Sequence, residues 1–315
     1  MGKLVNEQYL TKFSIEYKVP DLNFLAQELL DTIPVKIASA PYNVWDRAPM
    51  KLLDDDASYH APAPTFDLKR EKEPVLYSCA LKRGKSFIND EEEKANKDWT
   101  SLTEDAVADI KRGRLLTREY DFVTNLLESD ISGSSGTYHA TPSVKWNAGS
   151  GTITIEKDIR DAIKACEDNC LMTPNIIVIP KQVWDEIIMD ETLRDLFLLI
   201  PGRKNQDLEL SSIMKLLFDN FKKIYIPNIK YDTSGKKATA SLSSIYGNNV
   251  TMLYKNPGRP GPKAFTWGMY FEYETFKTKQ WREEDPDGTW VRLSTSYDMK
   301  ETARSARYTL KTVIT

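Results

Sequence analysis

Ser101-Leu-Thr-Glu-Asp-Ala-Val-Ala-Asp-Ile-Lys-Arg-Gly-Arg-Leu-Leu-Thr-Arg-Glu-Tyr-Asp-Phe-Val-Thr-Asn-Leu-Leu-Glu-Ser129 decides how the rest of the chain is organised. Ser101-Leu-Thr-Glu104 reads as a capping box, in which Ser101 accepts from a backbone N–H and Glu104 reaches back. Ala108, Leu115, Phe122, Val123, Leu126 and Leu127 then recur at helical spacing, and nothing interrupts them before Ser132-Gly-Ser-Ser-Gly136. A helix from Glu104 to about Ser129 would be roughly 39 Å long at 1.5 Å per residue, over twice the ordinary length. A rod of that kind suits a scaffold axis.

Downstream of the rod the pattern is mixed. Ile155, Ile159, Ile163 and Cys166 mark a second helix, with Glu156 and Asp158 in its first turn where the helix dipole favours acids. Asn175-Ile-Ile-Val-Ile-Pro180 is a short, continuous, buried strand, and Pro180 opens a third helix carrying Trp184, Ile187 and Ile188. Strands at Lys223-Ile-Tyr-Ile226 and Val250-Thr-Met-Leu-Tyr254 complete a mixed unit, with a turn at Asp232-Thr-Ser-Gly235 between them. Two long β-runs, Tyr270–Trp281 and Thr289–Asp298, flank the Asp287-Gly288 turn signal, and Tyr308–Ile314 is a final strand.

Upstream, the first forty-five residues read as an arm: one short helix through Phe24–Leu30, capped by Asp21, between extended segments broken by Pro20, Pro34 and Pro41. Residues 46–100 are polar and punctuated by Pro. Strands at Thr65–Lys69 and Val75–Lys82, joined by Arg70-Glu-Lys-Glu-Pro74, predict a long hairpin with too few apolar partners to bury a face alone. It needs another surface to lie on.

With 315 residues the chain is long enough to bury a sizeable core, and 41 % hydrophobic residues argue against broad disorder. Lys+Arg 43 against Asp+Glu 46 leaves a formal charge of −3, which excludes nucleic-acid binding by bulk charge. No apolar run reaches the roughly 18 residues of a membrane span, and the first residues lack the pattern of a secretory signal. Three cysteines make no disulfide framework, a reducing compartment is expected, and the Asn249-Val-Thr251 sequon reads as a chance match.

Signs of catalysis are weak throughout. His60 and His139 both read as loop residues outside any nucleophile or zinc signature. Cys166 and Cys170 lie one helical turn apart with no second pair to complete a metal set, so a buried helix face is the expectation. Arg83-Gly-Lys-Ser86 and Ser234-Gly-Lys236 contain the Gly-Lys pair of a phosphate loop without its upstream Gly. Asp54-Asp-Asp56 and Glu91-Glu-Glu93 read as solvated charge rather than a cation loop, and Lys255–Lys263 as a turn-rich linker rather than a basic stripe. We therefore expect no catalytic, cofactor-binding or metal residues. The seven tryptophans and fifteen tyrosines, many beside charge as in Lys279-Gln-Trp-Arg-Glu283, suit partly buried positions and wet interfaces.

In order and spacing, these segments resemble the major capsid proteins of tailed double-stranded DNA bacteriophages, with the Hong Kong phage capsid fold. The carriers are Tyr59-His-Ala-Pro-Ala-Pro64, the run Tyr77–Glu92, the long helix with Arg118-Glu119, and Lys145-Trp146. Further carriers are Pro174–Pro180 with Val183-Trp184, the step from Tyr246-Gly247 to Leu253-Tyr-Lys255, and Ala264-Phe-Thr-Trp-Gly268. The resemblance covers nearly the whole chain and implies an α+β fold. It would place an N-terminal arm at 1–45, an extended β-hairpin loop at 46–100 and a peripheral domain with a spine helix at 101–151. An axial α/β domain would occupy 152–268, a peripheral β-hairpin 269–299, and 300–315 would return as a strand to the axial domain.

The same resemblance implies a structural protein, not an enzyme, that self-assembles into hexamers and pentamers of an icosahedral shell around the phage genome. The extended loop would lie across a neighbouring subunit. A separate scaffolding protein, a portal and a decoration protein are the implied partners, with weak non-specific contact to packaged DNA and none to a membrane. The virion would be its location and the bacterial host cytoplasm its place of assembly. Some such proteins cross-link through a lysine on the extended loop; Lys69 and Lys72 lie there, but no motif selects one, and cross-linking is not expected. An encapsulin-like compartment shell shares the fold and is the alternative. A hydrolase or transferase built on 152–268 is a remote one.

Overall fold

The computed structural model describes residues 2–17, 24–48, 75–96, 101–129, 131–133, 135–148, 154–190, 221–234, 239, 241–258, 261, 264–285 and 287–315. The expected strand at Thr65–Lys69, together with Asp21, His60, Asp54–Asp56, Lys69, Lys72 and the Gly235-Lys236 pair, lies outside them.

Its axis is the rod, helix α4 at Leu102–Phe122, which continues without a break into a π-helical turn at Val123–Leu127. Val107, Ala108, Lys111, Leu115, Arg118, Glu119 and Phe122 form its buried face, so three charged side chains share the apolar stripe. The expected capping box does not form. Ser101 contributes its carbonyl to the N–H of Glu104 at 2.9 Å, its side chain caps nothing, and Glu104 instead accepts from Tyr9 Oη at 2.9 Å.

Tyr9 belongs to helix α1, Gly2–Glu16, which corrects the reading of an arm with a single short helix. The segment has little amphipathic pattern of its own; it is helical where Leu10 packs with Val107, Val291, Leu293 and Ile88. The arm continues through a four-residue helix α2 (Ala26–Leu29) and strands β1 (Asp31–Pro34) and β2 (Ser39–Tyr42).

Strands β3 (Val75–Ser78) and β4 (Ala80–Asn89) follow, then helix α3 (Asp90–Asn96). The remaining elements are strands β5 (Ser135–Gly136) and β6 (His139–Ala140), helix α5 (Ile155–Cys170), strand β7 (Ile176–Val178) and helix α6 (Lys181–Met189). Strands β8 (Lys223–Tyr225), β9 (Lys230–Asp232), β10 (Leu242–Ser244) and β11 (Val250–Leu253) come next. The chain closes with β12 (Gly268–Glu284), β13 (Asp287–Glu301) and β14 (Arg307–Leu310).

Two main sheets flank the rod. One has the order β1-β12-β13-β4 and the other β5-β6-β14-β11-β7-β8. In the first, the long β12/β13 hairpin receives β4 antiparallel along its whole outer length, from Gly288↔Asn89 to Tyr297↔Ala80. The strand expected at Val75–Lys82 therefore finds its covering surface within its own chain: β3 pairs with β2 of the arm, and β4 lies on β13 and against α4. Residues 75–89 thus have one covering surface in their own chain. Gly84 sits where β4 passes the rod, since a Cβ there would stand 2.6 Å from Ile110 Cγ2.

In the second sheet, β7 and β11 are buried at every position, as their unbroken apolar runs require. Ile155, Ile159, Ala162, Ile163, Cys166 and Cys170 of α5 pack on it through one continuous stripe. The final β-run divides: β14 pairs antiparallel with β11 at Arg307–Leu310, and the residues after it close on Asn248 and Trp146 through the Val313 backbone.

Candidate subunit-contact surface

Two of the three charges on the buried face of the rod, Glu119 and Lys111, each close the end of another helix, while Arg118 lies 5.8 Å over the Tyr270 ring. Glu119 is fully buried, and its carboxylate accepts from the backbone N–H of Leu25 at 2.8 Å, from that of Ala26 at 3.1 Å, and from Tyr246 Oη. It thus supplies acceptors to the N-terminus of α2, whose first amides have no partner inside so short a helix. Burial pushes its carboxyl above the ordinary carboxylate range against these three hydrogen bonds and the Arg118 charge, and burial, then Glu119, pushes the Tyr246 phenol well up. At the other end of α2, Lys255 Nζ donates to the carbonyls of Glu28 at 2.6 Å and Leu30 at 3.2 Å, and pairs with Asp31 at 3.3 Å. Trp267 Nε1 donates to Leu29 O at 3.1 Å. Helix α2 of the arm is therefore held at both ends, by Glu119 of the rod and by Lys255 after β11.

Lys111 plays the same part for α1. Its ammonium donates to Tyr17 O and to Ile15 O at 3.4 Å, and burial, helped by the Arg118 charge, lowers its pKa to about 8. None of these roles was drawn from the sequence. The available signal was position: Lys111, Arg118 and Glu119 fall on the helical stripe defined by Ala108, Leu115 and Phe122.

With the interior closed in this way, exposed apolar side chains gather at the root of the polar loop. Ile37 is 65 % exposed, Leu76 61 % and Leu81 48 %, all on or beside the β2/β3 ribbon. Beneath them Tyr77 is buried, stacked on Phe271 at 4.4 Å, with its hydroxyl on Ile37 O at 3.1 Å. A ribbon anchored by one aromatic and apolar on its outer side fits burial against another subunit.

The other residues singled out in the sequence are scattered. His139 is buried in strand β6, paired with Thr309, which corrects its reading as a loop residue. Cys166 and Cys170 are buried on the inner stripe of α5, and Cys170 Sγ donates to Met172 O at 3.0 Å. Arg83–Ser86 is the middle of strand β4 and frames no helix N-terminus. Glu91–Glu93 lie exposed on α3. Ser234 follows β9, with its N–H on Asp232 Oδ1 at 2.8 Å. Among the described residues no three His, Cys, Asp or Glu side chains are placed to share a metal ion, and no helix is long and apolar enough to cross a membrane.

No protein-family model matches the chain, and no curated protein matches it in sequence. Solved structures do match, end to end. A phage-related protein from Bordetella bronchiseptica superposes with a TM-score of 0.73 at 14 % identity, over 97 % of this chain and 96 % of the other. The capsid of cyanophage P-SCSP1u matches with a TM-score of 0.57 at 12 % identity, over 93 % and 89 %. The SrpI encapsulin of Synechococcus elongatus matches with a TM-score of 0.50 at 10 % identity, over 93 % and 90 %. The chain has the α+β Hong Kong phage capsid fold.

Proposed function

We propose that this chain is a shell-forming major capsid subunit, which assembles into hexamers and pentamers of an icosahedral particle around a double-stranded DNA phage genome. The observation that carries this reading is the whole-chain likeness to subunits of closed particles, with both sheets, the rod and the arm included. The exposed apolar ribbon at the root of residues 46–100 supports it, as a surface made for a neighbour. In this reading 101–151 and 269–299 form the peripheral domain, 152–268 with 300–315 the axial domain, and the arm at 1–45 fastens one to the other. The role is structural, without a catalytic step.

A separate scaffolding protein, a portal and a decoration protein are the partners this role calls for, with loose contact to packaged DNA, assembly in the host cytoplasm and residence in the virion. Many weak contacts repeated by symmetry close a stable shell. The subunits would separate to single chains on a denaturing gel, without covalent ladders. An encapsulin-like compartment is the second reading, favoured by the likeness to an encapsulin.

Expression of the chain alone, followed by size-exclusion chromatography and negative-stain electron microscopy, tests the proposal. Shells, tubes or rings of five or six are the expected products, and DNA or a cargo protein inside them separates the two readings. A monomer or dimer that persists at high concentration with scaffolding protein supplied would overturn both.

A further inference from the structure

One face of the β12/β13/β4 sheet packs on α1 and α4 through Val291, Leu293 and Ile88. The opposite face has a charge pattern that its strand register brings together from three distant stretches of sequence. Lys277, Ser294 and Arg83 form one cross-strand row, and Lys279, Arg292 and Lys85 form the next. Trp281, Trp290 and Phe87 form the third. Neighbouring strands lie about 4.8 Å apart, so five cations crowd into two rows. Arg83, Lys85, Lys277 and Lys279 are exposed, and of these Lys277 is paired with Glu274 at 2.7 Å.

The aromatic row holds the cations up. Trp281 and Trp290 stack at 6.3 Å, Phe87 tilts onto Trp290 at 5.0 Å, and Lys85 Nζ stands 4.0 Å over the Trp290 ring. Arg292 lies 5.7 Å over Trp281. A cation resting on a ring keeps a fixed position that a free lysine lacks.

Past the aromatic row the charge reverses. The hairpin ends in Glu283, Glu284, Asp285 and Asp287. Arg282 ties this tip to Asp90 at 2.7 Å, at the start of the acidic helix α3. Of the tip acids, Glu283 accepts from Trp290 Nε1 of its own aromatic row, and Glu284, Asp285 and Asp287 lie beyond it. The strands stay paired out to Glu284↔Asp287, and the four steps from Lys279 to Glu283 span roughly 14 Å of sheet, which keeps the outer acids off the cations of their own chain.

We propose that the acidic hairpin tip of one copy docks on the basic, aromatic-backed face of the next copy. The inference rests on the shell reading above and names one of its contacts. Its two patches differ, so the contact is heterologous and propagates around a ring instead of pairing two copies. Nucleic acid fits the face less well. The rings are stacked on one another and covered by cations, leaving no open platform for bases, and the adjoining acids repel phosphate.

Charge reversal tests the pairing. The face variant combines Arg83→Glu, Lys85→Glu and Lys279→Glu; the tip variant combines Glu284→Lys, Asp285→Lys and Asp287→Lys; a third chain carries all six. Light scattering gives the concentration at which each assembles, and far-UV circular dichroism confirms folding. Each reversal alone should raise that concentration at least ~10-fold, as should high salt for the wild type, and the six-fold variant should recover most of the loss. The tip variant changes only an exposed turn, so its result stands even if the face variant misfolds. Wild-type-like assembly of the tip variant would overturn this contact and leave the shell reading intact. Loss of copurifying nucleic acid in the face variant, with no rescue in the six-fold variant, would assign the face to nucleic acid and overturn the proposal. A wild type that never assembles would remove the shell reading and this contact with it.

Discussion

Arg307 Nε donates to Glu301 Oε1 at 3.1 Å, while the other nitrogens of the same guanidinium reach the end of the rod on Leu127 O and on Ser129 O at 3.0 Å. Arg307 is 1 % exposed and opens strand β14, so the last strand of the chain closes the helix begun two hundred residues earlier. The last carbonyls of a helix have no partner within it, and here the widened π turn presents them to a planar, five-donor cation.

Replacing that cation should be costly. Arg307→Met leaves the buried Leu127 carbonyl without this donor and takes one cation from Glu301, which should cost about 3 kcal/mol, the lower end for a broken buried pair because the Glu301 side chain is 20 % exposed. Arg307→Lys recovers part of this, since an ammonium cannot serve all three sites at once. Urea denaturation midpoints check it, and an unchanged midpoint for Arg307→Met would contradict the capping role.

Lys111 makes stability depend on pH in the alkaline range. Its folded pKa of about 8 lies below the ordinary value of 10.5, so between those values the unfolded chain binds more protons than the folded one. This contribution therefore rises with pH across that window and is smallest at pH 8 and below. Thermal melts of the wild type and Lys111→Met at pH 7.5 and pH 10 should show the wild type gaining relative to the variant at the higher pH. A constant difference would mean the amine is not buried against the α1 carbonyls.

Two glycines predict opposite responses to the same change. A Cβ on Gly288 would stand 2.5 Å from the backbone oxygen of Ile88 and 2.4 Å from Phe87 Cζ, so Gly288→Ala should destabilise by about 1–3 kcal/mol as β4 is pushed off β13. A Cβ on Gly113, exposed in the middle of α4, meets nothing within 4 Å. Gly113→Ala should stabilise by about 0.5–1 kcal/mol through helix propensity alone. Differential scanning calorimetry of the pair checks both signs, and equal shifts would contradict the close approach at Gly288.

The elements read correctly from sequence are those whose signal is local. Helix α5 repeats Ile155, Ile159, Ile163 and Cys166 on one face, β7 is an unbroken apolar run, and β12 and β13 are the two long β-runs, although pairing out to Glu284↔Asp287 puts Asp287-Gly288 inside β13 and not in the expected turn. The α5 stripe records burial on one face and the β7 run burial on both, and neither needs knowledge of the partner. Helix α1 escaped because its pattern is faint until Leu10 meets Val107 and Val291. His139 looked like a loop residue among Gly, Ser and Pro, since a two-residue strand has no period to show.

By itself the sequence determined the rod, the buried strands and the terminal hairpin, because helical and strand periodicity are written in neighbouring residues, while the order of its motifs carried the resemblance to a capsid fold. Only the tertiary structure decided that Glu119 holds the arm, that Arg307 closes the rod, and that β4 brings Arg83 and Lys85 into the same rows as Lys277 and Lys279 across β13. Those arrangements join residues roughly 90 to 200 positions apart. Their partners are chosen by strand register and by the demand that every buried polar group be satisfied, neither of which a local pattern encodes.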